Sequence, residues 1–327
     1  MPLTRPQAPI TLIALSLLAA APTARAQAPP FLLSWGSYGS GDGQLNSPVA
    51  VTLDPQGNVY VADMGNGRIV KFTSTGQILF TLPALYPGGR FVQPTGVATD
   101  AAGNLFVMDN EELALTEFDP MGHFVKEYGG PSQAEHGPFL SPNDVTLDPA
   151  GFVYVVDRVN LQVLKFTHDL NYLETWNLVR HGLSGLEFPG GIAADALGHV
   201  FIVDVSAYCI EKYTTSGQFV GQWGSHGLGA GQFGLPSRIG VDASGNVYVT
   251  DTQLHRVEVF TNDGTPINEW GAYGSQPGQF MSPGGVAVAP NGNVFVADAN
   301  MDRIDVFGAF PTSAANTTWG RLKRLYR

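Results

Sequence analysis

Short apolar runs recur in one fixed order between residues 46 and 308. A run that follows a proline, such as Val49 to Leu53, leads into a D-x-x-G-N turn. A second run, such as Val59-Tyr60-Val61-Ala62, ends on an aspartate. A third, of the R-I-V-K-F type, covers Arg68 to Phe72. A T-x-x-G-Q turn then leads to a fourth run that ends in Trp-Gly, as at Trp223-Gly224 and Trp270-Gly271. Alternating side chains and Gly-Asn turns, which tolerate positive φ, predict four successive antiparallel strands, a to d.

This unit occurs six times. The a–b segments read SPVAVTLDPQGNVYVAD, QPTGVATDAAGNLFVMD, SPNDVTLDPAGFVYVVD, FPGGIAADALGHVFIVD, LPSRIGVDASGNVYVTD and SPGGVAVAPNGNVFVAD. Their last residues, Asp63, Asp109, Asp157, Asp204, Asp251 and Asp298, are spaced by 46, 48, 47, 47 and 47. One four-stranded sheet leaves both faces uncovered, whereas six packed around an axis cover each other. The sixth copy stops after strand c, near Phe307, and the chain begins with Phe31-Leu32-Leu33-Ser34-Trp35-Gly36, which has the strand d pattern. The expected fold is therefore all-β: a six-bladed β-propeller of four-stranded antiparallel blades, its ring closed by the N-terminal strand 31–36 completing the last blade.

The pattern G-x-F-x-x-P-x-G-[IV]-A-[VL]-D-x-x-G-N-[VI]-[YF]-V-x-D-x-x-x-x-R-[IV], clearest from Gly278-Gln279-Phe280 through Arg303-Ile304, resembles the NHL repeat. The resemblance implies a propeller and leaves function open, because NHL-like propellers include peptide-amidating lyases, extracellular sensor domains, RNA-binding proteins and secreted proteins.

Composition adds boundaries and exclusions. Arg5, the apolar run from Ile10 to Ala21 and Ala24-Arg25-Ala26 read as a secretory signal peptide over 1–26, with the mature chain starting near Gln27. The propeller occupies 27–310. Residues 311–327 form a polar linker and a basic amphipathic tail carrying Arg321, Lys323, Arg324 and Arg327. No segment after the signal is apolar enough to span a membrane. The whole chain carries a net −11. Without residues 1–26 it has 15 basic and 28 acidic residues, a net −13, which argues against a nucleic-acid partner. The single cysteine, Cys209, excludes a disulfide framework and reads as a packed thiol.

The repeat also serves as the baseline against which chemistry must stand out. The six terminal aspartates recur once per blade and are expected to accept backbone N–H bonds in the b–c turns. Arg68, Arg256 and Arg303, five residues later, are expected to form ion pairs between blades. The resemblance implies, for the lyases, zinc held by histidines near the axis; no histidine stands at the start of strand a. His123, His168 and His199 fall in a–b or c–d turns, and His136, His181, His226 and His255 in d–a or b–c loops. Lactonase-like propellers bind calcium, and Asn143-Asp144 resembles part of such a set without identifiable partners. No cofactor is therefore predicted; calcium and zinc lack a supporting ligand pattern, and no metal ligand or catalytic residue is assigned.

Subtracting the repeat leaves one irregularity. Two residues after the proline the copies hold Ala50, Gly96, Asp144, Gly191, Arg238 and Gly285. Small residues suit a crowded axis; Asp144 and Arg238 break that rule with opposite charges. Arg158 follows Asp157 in the b–c loop of the Asp144 blade, and Asn110 is its counterpart one blade earlier. Asp144, Arg158, Arg238, Asn143 and Asn110 are the candidate ligand-binding residues, with a salt bridge plugging the channel as the structural alternative. Tyr38, Tyr86, Tyr208 and Tyr273 map to the same face. The reading is a secreted, periplasmic or extracellular monomeric scaffold without enzymatic activity. It would bind a protein, peptide or glycan through the face bearing the d–a and b–c loops. The alternative is a metal-dependent lyase or lactonase-like hydrolase with its site in the axial funnel.

Overall fold

The computed structural model describes residues 27–82, 85–87, 89–130, 139–178 and 188–310; of Leu85 and Tyr86 it describes the backbone alone. The signal segment, the basic tail, His136, His181 and the Tyr86 side chain lie outside the described atoms.

Six four-stranded antiparallel sheets stand in a ring. In blade 1 the strands are Pro48–Leu53, Val59–Asp63, Arg68–Phe72 and Ile78–Leu82, and the other blades repeat the order. Every a strand packs against the a strands of both neighbouring blades, the last against the first, so the ring closes around an axis. In blade 6 the outermost strand is Phe31–Trp35, paired antiparallel with Arg303–Phe307 (Trp35 opposite Ile304, Phe31 opposite Phe307). The closure expected from the sequence is thus the one observed.

Strand b is buried on both faces, because its alternating side chains enter two different interfaces. Val59 and Val61 pack with Phe295, Ala297 and Ile304 of blade 6. Tyr60 and Ala62 pack with Val97, Leu105 and Val107 of blade 2. The core is six such inter-blade layers rather than one centre. Tryptophans ending the d strands bind the layers together. Trp35 packs on Phe72 and Phe295, with ring centroids 6.0 and 6.1 Å apart. The Gly of T-x-x-G-Q has a reason here: Gly76 has φ +85°, and a Cβ on it would lie 2.6 Å from the Trp35 ring.

The repeat arginines differ from expectation, since their ion pairs lie within blades. Arg68 bonds Asp63 (2.7 Å), Arg256 bonds Glu258 and Glu269, and Arg303 bonds Asp305 (3.0 Å). What these arginines hold between blades is the incoming d–a loop. Arg68 donates to the carbonyls of Ser40 and Gln44. Arg303 donates likewise to Ser275 and Gln279. The guanidinium's fan of donors satisfies loop carbonyls and one carboxylate together.

Candidate functional site

In blades 2 to 5 the terminal aspartates accept backbone N–H bonds in the b–c turns as expected; Asp63 and Asp298 accept none there and instead take N–H groups of the d–a loop. Asp109 Oδ1 accepts the Glu111 and Glu112 N–H groups of the b–c turn, each at 3.0 Å. Its Oδ2 also accepts Val92 N–H at 2.8 Å, from the d–a loop. Asp157 and Asp251 repeat both sets. Those three carboxylates each pin two loops of one face, and Asp63 and Asp298 hold the d–a loop through the Asn46, Met281 and Ser282 N–H groups, so that face is a rigid platform.

At the axis the six non-repeating positions meet. Asp144 Oδ2 lies 3.2 Å from Arg238 Nη1, and both side chains are about nine-tenths buried. Arg238 reaches across the channel and donates to the carbonyls of Asn143 (3.1 Å) and Thr95 (2.9 Å), two other blades. Asp144 accepts Val145 N–H (3.0 Å) and Ile192 N–H (3.2 Å). These amides belong to inner edge strands, which have no further strand to pair with. Burial pushes the Asp144 carboxyl up from its ordinary range, and the Arg238 charge opposes it. The glycines alternate with this pair for space: a Cβ on Gly191 would lie 2.9 Å from Arg238 Cα.

A cavity of about 240 Å³ runs from the Asp144–Arg238 pair along the a strands toward the a–b turns, past Thr52, Thr99, Thr146, Val241 and Val288. The pair thus stands as a plug with its void on the a–b side. The remaining candidates lie on the opposite side. Asn143 Nδ2 donates to Gly190 O at 2.8 Å, and Asn110 Nδ2 donates to Pro142 O at 2.7 Å. Both amides stitch neighbouring blades. Arg158 is half-buried; its Nε donates to Pro189 O at 3.1 Å, and its guanidinium lies 4.6 Å from the Phe188 ring centroid. Burial and the nearby Arg238 charge push Arg158 down to about 10. Comparison of the residue before each proline (Ser47, Gln93, Ser141, Phe188, Leu235, Ser282) would have flagged Phe188 and Leu235 as exceptions.

The described histidines are used locally. His168 Nε2 sits 2.6 Å from Asp100, beside a second cavity of about 430 Å³ bounded by Asp100, Asp148 and Asp195 on the a–b face. His199 pairs with Asp195 and His123 with Asp119. His226 packs on Tyr208 and His255 on Tyr273, with centroids 4.6 and 4.9 Å apart. Among the described residues no group of three or more His, Cys, Asp or Glu is placed to hold a metal.

Cys209 is buried, and burial pushes its thiol up to about 12. It occupies the repeat's arginine position and so changes its neighbour. In blades 5 and 6 the arginine two residues before Glu258 or Asp305 lies on the same strand face and pairs with it. Glu211 meets the Tyr213 hydroxyl instead. Burial pushes its carboxyl up to about 7, against 4.5 ordinarily, as it also pushes Asp305 up to about 7 in spite of Arg303. The folded state therefore holds a proton that the unfolded chain releases earlier. The stabilisation this gives is complete below pH 4.5 and is lost as pH rises through about 7. The residue's share of the decline is at most ~3 kcal/mol. Urea midpoints at pH 5 and pH 8 are expected to differ less in Glu211→Gln than in the parent; equal differences would remove Glu211 as the cause.

Comparison with known proteins follows the repeat. The NHL repeat profile matches residues 45–72 and 280–307. These two segments, in the first and last blades, are NHL repeats. Human E3 ubiquitin-protein ligase TRIM32 is 33% identical over 106 residues, which are 29% of this chain and 16% of that protein. The match thus spans about a sixth of that relative's length. A Bacteroides thetaiotaomicron protein of unknown function superposes with TM-score 0.68 at 16% identity, over 84% of this chain and 74% of that one. A Xanthomonas campestris gluconolactonase gives 0.59 at 16%, over 81% and 86%. A Staphylococcus aureus virginiamycin B lyase gives 0.56 at 16%, over 84% and 94%. Identities this low show a common propeller fold and nothing of this propeller's chemistry.

Proposed function

We propose that this NHL propeller is a secreted, non-enzymatic binding scaffold that recognises a protein, peptide or glycan through the face bearing the d–a and b–c loops. The observation that carries the reading is where large apolar side chains are left in water. Of the eighteen exposed among the described residues, seven (Tyr38, Leu140, Val159, Phe188, Leu228, Leu235 and Tyr273) stand on that face, two (Met121 and Leu197) stand on the a–b and c–d face, and nine lie along the outer d strands of the rim. Exposed aromatic and aliphatic groups on a rigid platform are what an interface needs.

The test is capture from the native host's periplasmic fraction or culture medium with the purified protein. Val159→Glu and Phe188→Glu are expected to lose a component that Leu197→Glu retains. Loss in all three, or in none, would overturn the assignment of the face.

The axial cavity keeps a second reading in play, a metal-dependent lyase or lactonase-like hydrolase with Asp144 and Arg238 at its floor. Metal analysis of the purified protein separates the two: stoichiometric zinc or calcium lost on substitution of Asp144 would favour the enzyme.

A further inference from the structure

The position after the terminal aspartate holds Met64, Asn110, Arg158, Val205, Thr252 and Ala299 in successive blades. Only blade 3 puts a charge there. Arg158 is also held in a fixed pose. The Nε bond to the Pro189 carbonyl and the stacking on Phe188 fix the plane of the guanidinium across the seam between blades 3 and 4. Its two terminal nitrogens make no hydrogen bond to any described residue. They are the fork with which arginine grips a carboxylate.

The local charge balance is uneven. Among the described residues Arg158 and Arg238 face one carboxylate, Asp144, and that carboxylate already pairs with Arg238. Among them one positive charge is left over at the funnel mouth of a chain whose net charge is −11. Burial and the second guanidinium both disfavour the Arg158 charge, so an incoming anion would relieve a cost already present in the free protein.

The surroundings narrow the anion. Phe188 lies under the guanidinium, Val159 is the next residue, and the N–H of nearby Leu140 is bound by the adjacent Asp157. All three side chains are exposed, at 45%, 63% and 59%. Apolar surface thus begins at the edge of the fork. An internal Asp or Glu has its apolar neighbour on the next residue, which in an extended strand points the other way. A C-terminal residue carries its carboxylate and its side chain on one Cα.

Resting on the binding face proposed above, we infer that Arg158, Phe188, Leu140 and Val159 form a receptor for the C-terminal carboxylate of a peptide that ends in a large apolar residue. Arg158 binds the carboxylate through Nη1 and Nη2, and the last side chain lies against the apolar rim.

The probe is the tripeptide acetyl-Gly-Leu-Phe with a free carboxylate, titrated calorimetrically into the full chain beside its C-terminal amide and acetyl-Leu-Asp-Phe-amide. The free acid is expected to bind at least about tenfold more tightly than either amide, as a charge-assisted bond implies. Its affinity should fall with salt. Arg158→Gln should erase the difference between acid and amide, and Arg158→Lys should keep part of it. Phe188→Ser should weaken the acid while leaving the preference for acid over amide. No binding of the acid, equal binding of acid and amide, equal binding of the internal aspartate, or an Arg158→Gln protein that still prefers the acid would each overturn the inference. Its failure is separable from that of the binding face. If Val159→Glu and Phe188→Glu lose the native component while the tripeptide acid fails to bind, the face stands and the carboxylate receptor falls.

Discussion

Asp144→Ala is expected to destabilise the propeller by about 3–5 kcal/mol, the range for a buried ion pair that loses one member. The loss should far exceed that of the Asp144→Ala, Arg238→Met double variant. Removing the carboxylate leaves the Arg238 guanidinium buried, held only by the Asn143 and Thr95 carbonyls and facing the like charge of Arg158. It also strips two inner-edge amides, Val145 and Ile192, of their acceptor. The double variant removes the stranded charge and fills the neck with an apolar chain. Urea unfolding of both single variants and the double gives the coupling directly. Additive losses would show that the pair is not a coupled plug, and would leave its charges available for a ligand.

This pair shows how far the sequence carries. The fold was legible because the same turn chemistry and the same aspartate return six times, so each blade corroborates the others. The pair was legible by contrast, since only Asp144 and Arg238 depart from small residues at their position. Its geometry was not. Whether a side chain two blades away reaches across depends on how wide six packed a strands leave the channel, and no single repeat contains that distance. The side on which the void lies depends likewise on which way Arg238 leans, here toward Thr95. Bonds to partners distant in sequence were hidden for the same reason. Asp109 binds Val92, 17 residues upstream, and Arg68 binds Ser40, 28 residues upstream.

The arginines mark a subtler limit. Five-residue spacing after the aspartate suggests an ion pair but not its direction, and the observed partners are carboxylates of the same blade plus carbonyls of the loop arriving from the previous one. The change of partner at Glu211 could have been read. Alignment of the c strands sets Cys209 where Arg256 and Arg303 stand, and an acid two residues on shares its face. Phe188 was missed because only positions after the proline were compared. Both are cases in which the repeat baseline, applied to one more column, exposes a functional or energetic exception.

Excising residues 27–36 is expected to be more damaging than any single substitution, because that strand serves two interfaces at once. Leu33 and Trp35 join the layer between blades 6 and 1, and Phe31 joins the layer between blades 5 and 6, with its ring 5.8 Å from Phe307. Trp35→Ala alone should cost about 3 kcal/mol, the low end for a large aromatic, since Trp35 is only partly buried. Excision adds the loss of Phe31, of the ladder to Arg303–Phe307 and of the Gly308 to Pro30 bond. It also bares Arg303–Phe307 as an edge, so the shortened protein should self-associate as well as melt earlier. A transplant tests whether the strand itself or its place in the chain matters. Phe31–Gly36 would be moved to follow Phe307 through a T-x-x-G-Q turn like residues 73–77. Strand d would then meet strand c by the same turn as in other blades, and most of the lost stability and the association state of the unaltered chain should return. A transplant as unstable as the excision would mean that closure depends on the covalent link from Gly36 into the loop before blade 1. An excised chain with an unchanged melting midpoint would mean that the strand does not close the ring at all.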